Sequence, residues 1–122
     1  MTTARPSETV NGYLDAFTKG DLDAAYEYIA EDFVFRGPML ASEGKQAFIE
    51  GSSGLAPMMR GYTLLRQFED VDEVCSIYDF HVETPAGAGS VTMTEWNVVR
   101  DGRLQSARLV FDTAAFAALM PS

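Results

Sequence analysis

The chain has 122 residues, 47% of them hydrophobic and 22% charged, with a formal net charge of −9. This is one domain with enough apolar residues for a core of its own. The charge argues against nucleic acid, whose phosphates it could not neutralise, and against an anionic membrane surface.

In chain order, Ser7 is placed to cap a first helix. Val10, Tyr13, Leu14 and Phe17 follow at i, i+3, i+4 and i+7, which is one helical face. Gly20 ends that helix and Asp21 caps a second, in which Leu22, Ala25, Tyr26 and Ile29 repeat the spacing. The two form a helical hairpin around Lys19-Gly20-Asp21. Phe33–Arg36 reads as a short strand stopped by Gly37-Pro38, and Ser42–Glu50 as a third helix broken by the Gly51–Gly54 segment. From Tyr62 the period changes to two. Strands are expected over 62–69, 74–84, 91–99 and 104–111, with turns at Asp70–Glu73, Pro85–Ser90 and Asp101-Gly102. Ala114–Met120 looks like a closing turn of helix. Helices followed by an antiparallel meander define an α+β layout.

Alternation sorts the sheet faces. Val74, Tyr78, Phe80 and Val82 share one side of their strand, and Cys75, Ile77, Asp79, His81 and Glu83 the other. In the last strand Ala107, Leu109 and Phe111 oppose Leu104, Ser106, Arg108 and Val110. One face is strongly apolar and suits packing on helices. The other carries Ile77, Trp96, Val98 and Val110 among polar neighbours, and reads as a homodimer interface.

The segment Val91–Val99 holds the most informative residue, because its apolar face carries a carboxylate, Glu95, beside Met93 and Val91. A glutamate on such a face is paired, exposed or working. Cys75 stands alone, so no internal disulfide forms, which suits a reducing cytoplasm. One Cys and one His cannot build a His/Cys zinc site. No phosphate-binding glycine pattern, dinucleotide fingerprint or nucleophile elbow is present. No apolar run approaches about 18 residues, and the N-terminal Met1–Glu8 lacks the apolar stretch of a secretory signal. His81, with Asp79 and Glu83 at i±2, falls on the outer face as a solvated or interface patch. Met39, Met58 and Met59 read as flexible lining of a pocket mouth, and Cys75 as a plain buried or strand-edge thiol.

Four stretches carry a resemblance. YLDAFTKGDLDA from Tyr13, IAEDFVF from Ile29, GKQAFI from Gly44 and RDGRL from Arg100 resemble the nuclear transport factor 2-like superfamily, which includes ketosteroid isomerases and SnoaL-like polyketide cyclases. The resemblance implies a cone: a curved antiparallel sheet wrapped around N-terminal helices, with an apolar pocket at its open end. That pocket would be lined by Tyr13, Phe17, Phe35, Phe80, Val82, Met93, Glu95, Leu109 and Phe111. The isomerase oxyanion hole maps onto Tyr13 and Glu95, while the isomerase base position falls on Gly37, which cannot take a proton. The acid/base aspartate of the cyclases maps onto Asp112. The cyclase histidine finds no counterpart, since Trp96, Asn97 and Val98 occupy its neighbourhood.

The implied function is binding of a small apolar molecule. It comes either with cofactor-independent isomerase, cyclase or lyase chemistry through an enolate, or as a non-catalytic binding or dimerising module. Each residue also has a plainer reading. Tyr13 would be a core tyrosine, Glu95 would pair with an arginine such as Arg36 or Arg60, and Asp112 would cap the tail helix.

Overall fold

The computed structural model describes residues 5–120. The segment read for a secretory signal therefore lies partly outside the described residues. Helix α1 spans Pro6–Phe17 and buries Val10, Tyr13 and Leu14, as their spacing requires. It begins at Pro6, whose missing N–H is no loss in a first turn. Ser7 is therefore inside the helix and does not cap it; its backbone N–H donates to Glu69 Oε1 at 2.8 Å. Helix α2 is only Leu22–Tyr26, with Asp21 at the cap position but making no side-chain cap bond. Ile29, expected on that helix, instead opens strand β1, Ile29–Arg36. Pairing decides this: Ile29 registers with Leu104, and Leu104 N–H donates to the Tyr28 carbonyl at 2.7 Å.

Strand β2, Ala41–Glu43, occupies the start of the segment expected to be helix. Ser42 pairs with Phe35, and Gly44 at φ 92° breaks the strand before helix α3 runs from Lys45 to Ser52. A short 3₁₀ turn, Ser53–Met58, leads into the meander. Its strands are β3, Met59–Asp70, β4, Glu73–Thr84, β5, Gly87–Arg100, and β6, Arg103–Phe111. The expected strands are all present, but β5 begins earlier and leaves only Pro85-Ala86 between β4 and β5. Asp101 (φ 52°) and Gly102 (φ 71°) make the β5–β6 turn, with the two positive φ values of a type I′ hairpin. Helix α4, Thr113–Leu119, closes the chain.

The strands form one open sheet in the order β2-β1-β6-β5-β4-β3. Every neighbouring pair is antiparallel except β1 with β6, which is parallel because the helices and the meander separate them in the chain. The sheet curves around the helices, and the core gathers Val10, Leu14, Phe33, Phe48, Val74 and Leu104 on its inner face.

Alternation holds along β4 and β5. Val74, Tyr78, Phe80 and Val82 are buried, as are Val91, Met93, Glu95, Asn97 and Val99. It fails once in β6, where Leu104, expected outside, is fully buried. Val98 pairs with Ser106 and Val99 with Leu104, so Gln105 is an extra residue that reverses the phase. On the outer face Phe68, Cys75, Trp96 and Arg108 form one cross-strand row, with Phe68 and Trp96 exposed and Cys75 half-buried in an interior strand. His81 lies on this face too, hydrogen-bonded to Thr63 at 2.7 Å and Ser90 at 2.6 Å.

The bulge makes a testable distinction between two residues of β6 that simple alternation places together. Leu104→Ala is expected to lower stability by about 2–5 kcal/mol. Val110→Ala should change it by less than about 0.5 kcal/mol, as an exposed position does. Denaturant unfolding of both variants checks this.

Candidate functional site

Between the helices and the inner face of the sheet lies a cavity of about 260 Å³. Tyr13, Leu14 and Phe17 of α1 and its C-cap Thr18 form one wall, and Tyr78, Phe80, Met93, Glu95, Leu109 and Phe111 of the sheet the opposite one. Phe35, Met39 and Leu40 from the β1–β2 region, Phe48 and Ser52 of α3, and Phe116 of α4 complete it. Aromatic rings build the wall around Phe48, which meets Phe33 and Phe35 at 5.1 Å between centroids and Phe17 at 6.0 Å. Tyr13 stacks on Phe17 at 5.3 Å.

Polar groups are few, and the one carboxyl among them is Glu95. Glu95 is 4% exposed. Its Oε1 accepts from the Tyr78 hydroxyl at 2.8 Å and its Oε2 from Asn97 Nδ2 at 3.0 Å. No arginine reaches it: Arg36 pairs with Glu43 and Arg60 with Glu83. Burial pushes the Glu95 carboxyl above its ordinary value, and the hydrogen bonds from Asn97 and Tyr78 pull partly the other way. Burial, reinforced by the nearby Glu95 charge, also holds the Tyr13 and Tyr78 phenols well above 10.0. Tyr13 lines the cavity, and its hydroxyl takes part in none of the side-chain hydrogen bonds among the described residues. Asn97 is fully buried and its Oδ1 has no partner among the described residues.

Eight of the nine residues expected to line a pocket do so. Val82 does not, because it pairs with Met59 farther along β4 and both are packed in the core. Met59 is thus a core residue rather than mouth lining, and Met58 is also outside the cavity wall; Met39, 59% exposed, does stand at the mouth. Asp112 is exposed at the N-cap of α4, where its Oδ1 accepts from Ala114 N–H at 2.9 Å and Ala115 N–H at 3.2 Å. It is not part of the cavity wall. Sequence reasoning missed Tyr78 as a site residue, although alternation had placed it inward and its register partner is Met93. It also missed Asn97, two residues from Glu95 on the same face. Phe48 and Ser52 carry no signal beyond helical spacing.

A family model for the SnoaL-like domain matches residues 10–107, and the chain belongs to that family. Solved structures with the same fold include a protein from Kribbella flavida, 28% identical, with TM-score 0.80 over 95% of this chain and 93% of that one. A nuclear transport factor 2-like protein of unknown function from Cytophaga hutchinsonii is 23% identical, with TM-score 0.78 over 96% of this chain and 99% of that one. A protein with a ketosteroid isomerase-like fold from Catenulispora acidiphila, solved with trimethylamine, is 15% identical, with TM-score 0.81 over 95% and 93%. No curated protein matches the chain.

Because the native Glu95 value is raised, the folded state keeps its proton at a pH where the unfolded chain has lost it. Stability should therefore fall as pH rises from the unfolded carboxyl value of about 4.3 towards the native one. Glu95→Gln removes this dependence, and Asn97 can accommodate it by turning its amide so that Oδ1 accepts. The variant is expected to gain stability over the parent by up to about 1.4 kcal/mol per pH unit across that window, and nothing below it. Urea unfolding of both proteins from pH 4 to pH 8 measures the difference.

Proposed function

We propose that this chain binds a small, largely apolar molecule through one of its oxygen atoms. The observation that carries the reading is a buried carboxyl lining an apolar cavity near the Tyr13 phenol, the first without a cationic partner and the second without an acceptor among the described residues. Burial shifts the Glu95 carboxyl toward its neutral form, which donates a hydrogen bond as the Tyr13 hydroxyl does, and both donors favour a carbonyl, phenol or enolate oxygen. Tyr78 and Asn97 orient the acid through their hydrogen bonds to its two oxygens. Among the described residues the titratable groups of the cavity wall are Tyr13, Tyr78 and Glu95. Gly37 stands where a base would be needed, and Asp112 is engaged as a helix cap. That inventory favours binding over turnover. Isomerase, cyclase or lyase chemistry through an enolate would have to run on Glu95 alone.

A bicyclic phenol such as naphthol is the test ligand, titrated by calorimetry. Tyr13→Phe and Glu95→Gln should each weaken binding by roughly three- to tenfold, the range of one hydrogen bond. The double variant should lose less than the product, because both donors serve one acceptor. Asp112→Asn, which preserves the cap, should bind as the parent does. Unchanged affinity in Tyr13→Phe and Glu95→Gln would refute the reading.

The outer face of β3, β4 and β5 is proposed to join two copies of the chain. Phe68 and Trp96, exposed at 60% and 47%, flank Cys75 there, with Ile77 one pair along the same face. Light scattering should give twice the 13.4 kDa chain mass, and Trp96→Glu should lower it. A monomer at micromolar concentration would count against this assembly.

A further inference from the structure

The β4–β5 hairpin outruns its neighbour in the sheet. Strand β6 stops at Phe111, whose register partner is Met93, while β5 begins at Gly87 and β4 runs on to Thr84. The tip of the hairpin therefore projects past β6. Strand β1 runs parallel to β6 and ends at Arg36, level with Arg108, so the mouth at Met39 belongs to this same end of the sheet. Helix α4 folds back over the projecting tip and packs on β4 and β5.

The attachment of α4 is sparse. Phe116 is its one buried residue, and that ring lies 5.3 Å from the Phe111 ring between centroids and forms part of the cavity wall. Thr113, Ala114, Ala115, Ala117 and Ala118 are exposed. Two contacts hold the far end of the helix. The Thr84 hydroxyl donates to the Leu119 carbonyl at 2.8 Å. The Leu119 side chain sits against Gly89, where an added Cβ would stand 2.5 Å from its Cδ2. Gly89 is not among the residues with positive φ, so its backbone does not demand glycine. The missing side chain instead makes a socket for Leu119, which is not itself part of the cavity wall. At the near end Asp112 bonds only to N–H groups of α4, so this cap can travel with the helix.

A seven-residue helix does not persist without packing, and an element docked by few buried apolar groups opens at small cost. We propose that α4 is a hinged lid on the cavity, pivoting between Phe111 and Asp112 and latched by Leu119 in the Gly89 socket, and that ligand enters and leaves when it swings out. The inference rests on the binding reading above and adds the route by which that cavity fills. Swinging out withdraws Phe116 from the wall, and closing sets its ring against the ligand.

The test combines backbone hydrogen exchange with stopped-flow binding of plain naphthol to the intact protein. Saturating naphthol should slow exchange of the α4 amides in the parent. Gly89→Ala fills the socket and Leu119→Ala empties it, so each should speed α4 exchange in the free protein. In each, the association and dissociation rates of naphthol should rise together by about three- to tenfold, with the affinity nearly unchanged. A helix that is only a wall gives a different result: dissociation alone accelerates and affinity falls. That outcome, or unchanged binding rates in variants whose α4 exchanges faster, overturns the lid alone. Unchanged α4 exchange in both variants overturns the latch and the lid with it. Failure of naphthol to bind the parent overturns the cavity reading and this inference together.

Discussion

A carboxyl group with no countercharge, set in an apolar wall, is the constraint around which the rest of this molecule is arranged. Removing a charged carboxylate from water is so unfavourable that the group is either neutralised or paired. Here no cation among the described residues pairs with Glu95, and two neutral donors, Tyr78 and Asn97, bond to it. The helices that cover it contribute phenyl rings and aliphatic chains rather than charge. Phe48 holds that cover together, because its ring joins α3 to both β1 and α1. The same apolar surroundings that make the cavity also raise the carboxyl above its ordinary value, so the shape and the acid's shifted chemistry have one cause.

Membership of the SnoaL-like family fits this arrangement and leaves the chemistry open, because one fold carries many unrelated activities. The cavity itself carries what is specific to this chain. Its residues supply hydrogen-bond donors and a low-polarity lining, and among those described they include no second acid or histidine. The outer face, with Phe68 and Trp96 exposed, lies outside that cavity.

Much of the fold was legible because period-two alternation is a local signal with a strong physical basis. β4 and β5 sort their residues as their spacing demands, and Glu95 is where that sorting puts it. Ile29 was misread because helical spacing and strand start coincide there, and only the distant Leu104 decides between them. Ser42 was misread for the same reason: β2 exists because β1 lies beside it. In the candidate site Tyr13 could be inferred from helix phase, whereas Asp112 looked equally good as base or cap. Only the position of two backbone N–H groups distinguishes the two roles. Tyr78 was visible as an inward residue, but nothing in the chain alone says which carboxyl it meets.

The extra residue at Gln105 divides β6 into two segments with opposite phase. Before it, Leu104 belongs to the structural core; beyond it, Leu109 and Phe111 face the cavity. A strand without the bulge would tie these two jobs together, since any slip at one end would rotate every side chain at the other. With it, the cavity end of β6 can change its residues, and so its ligand, while Leu104 keeps its place in the core.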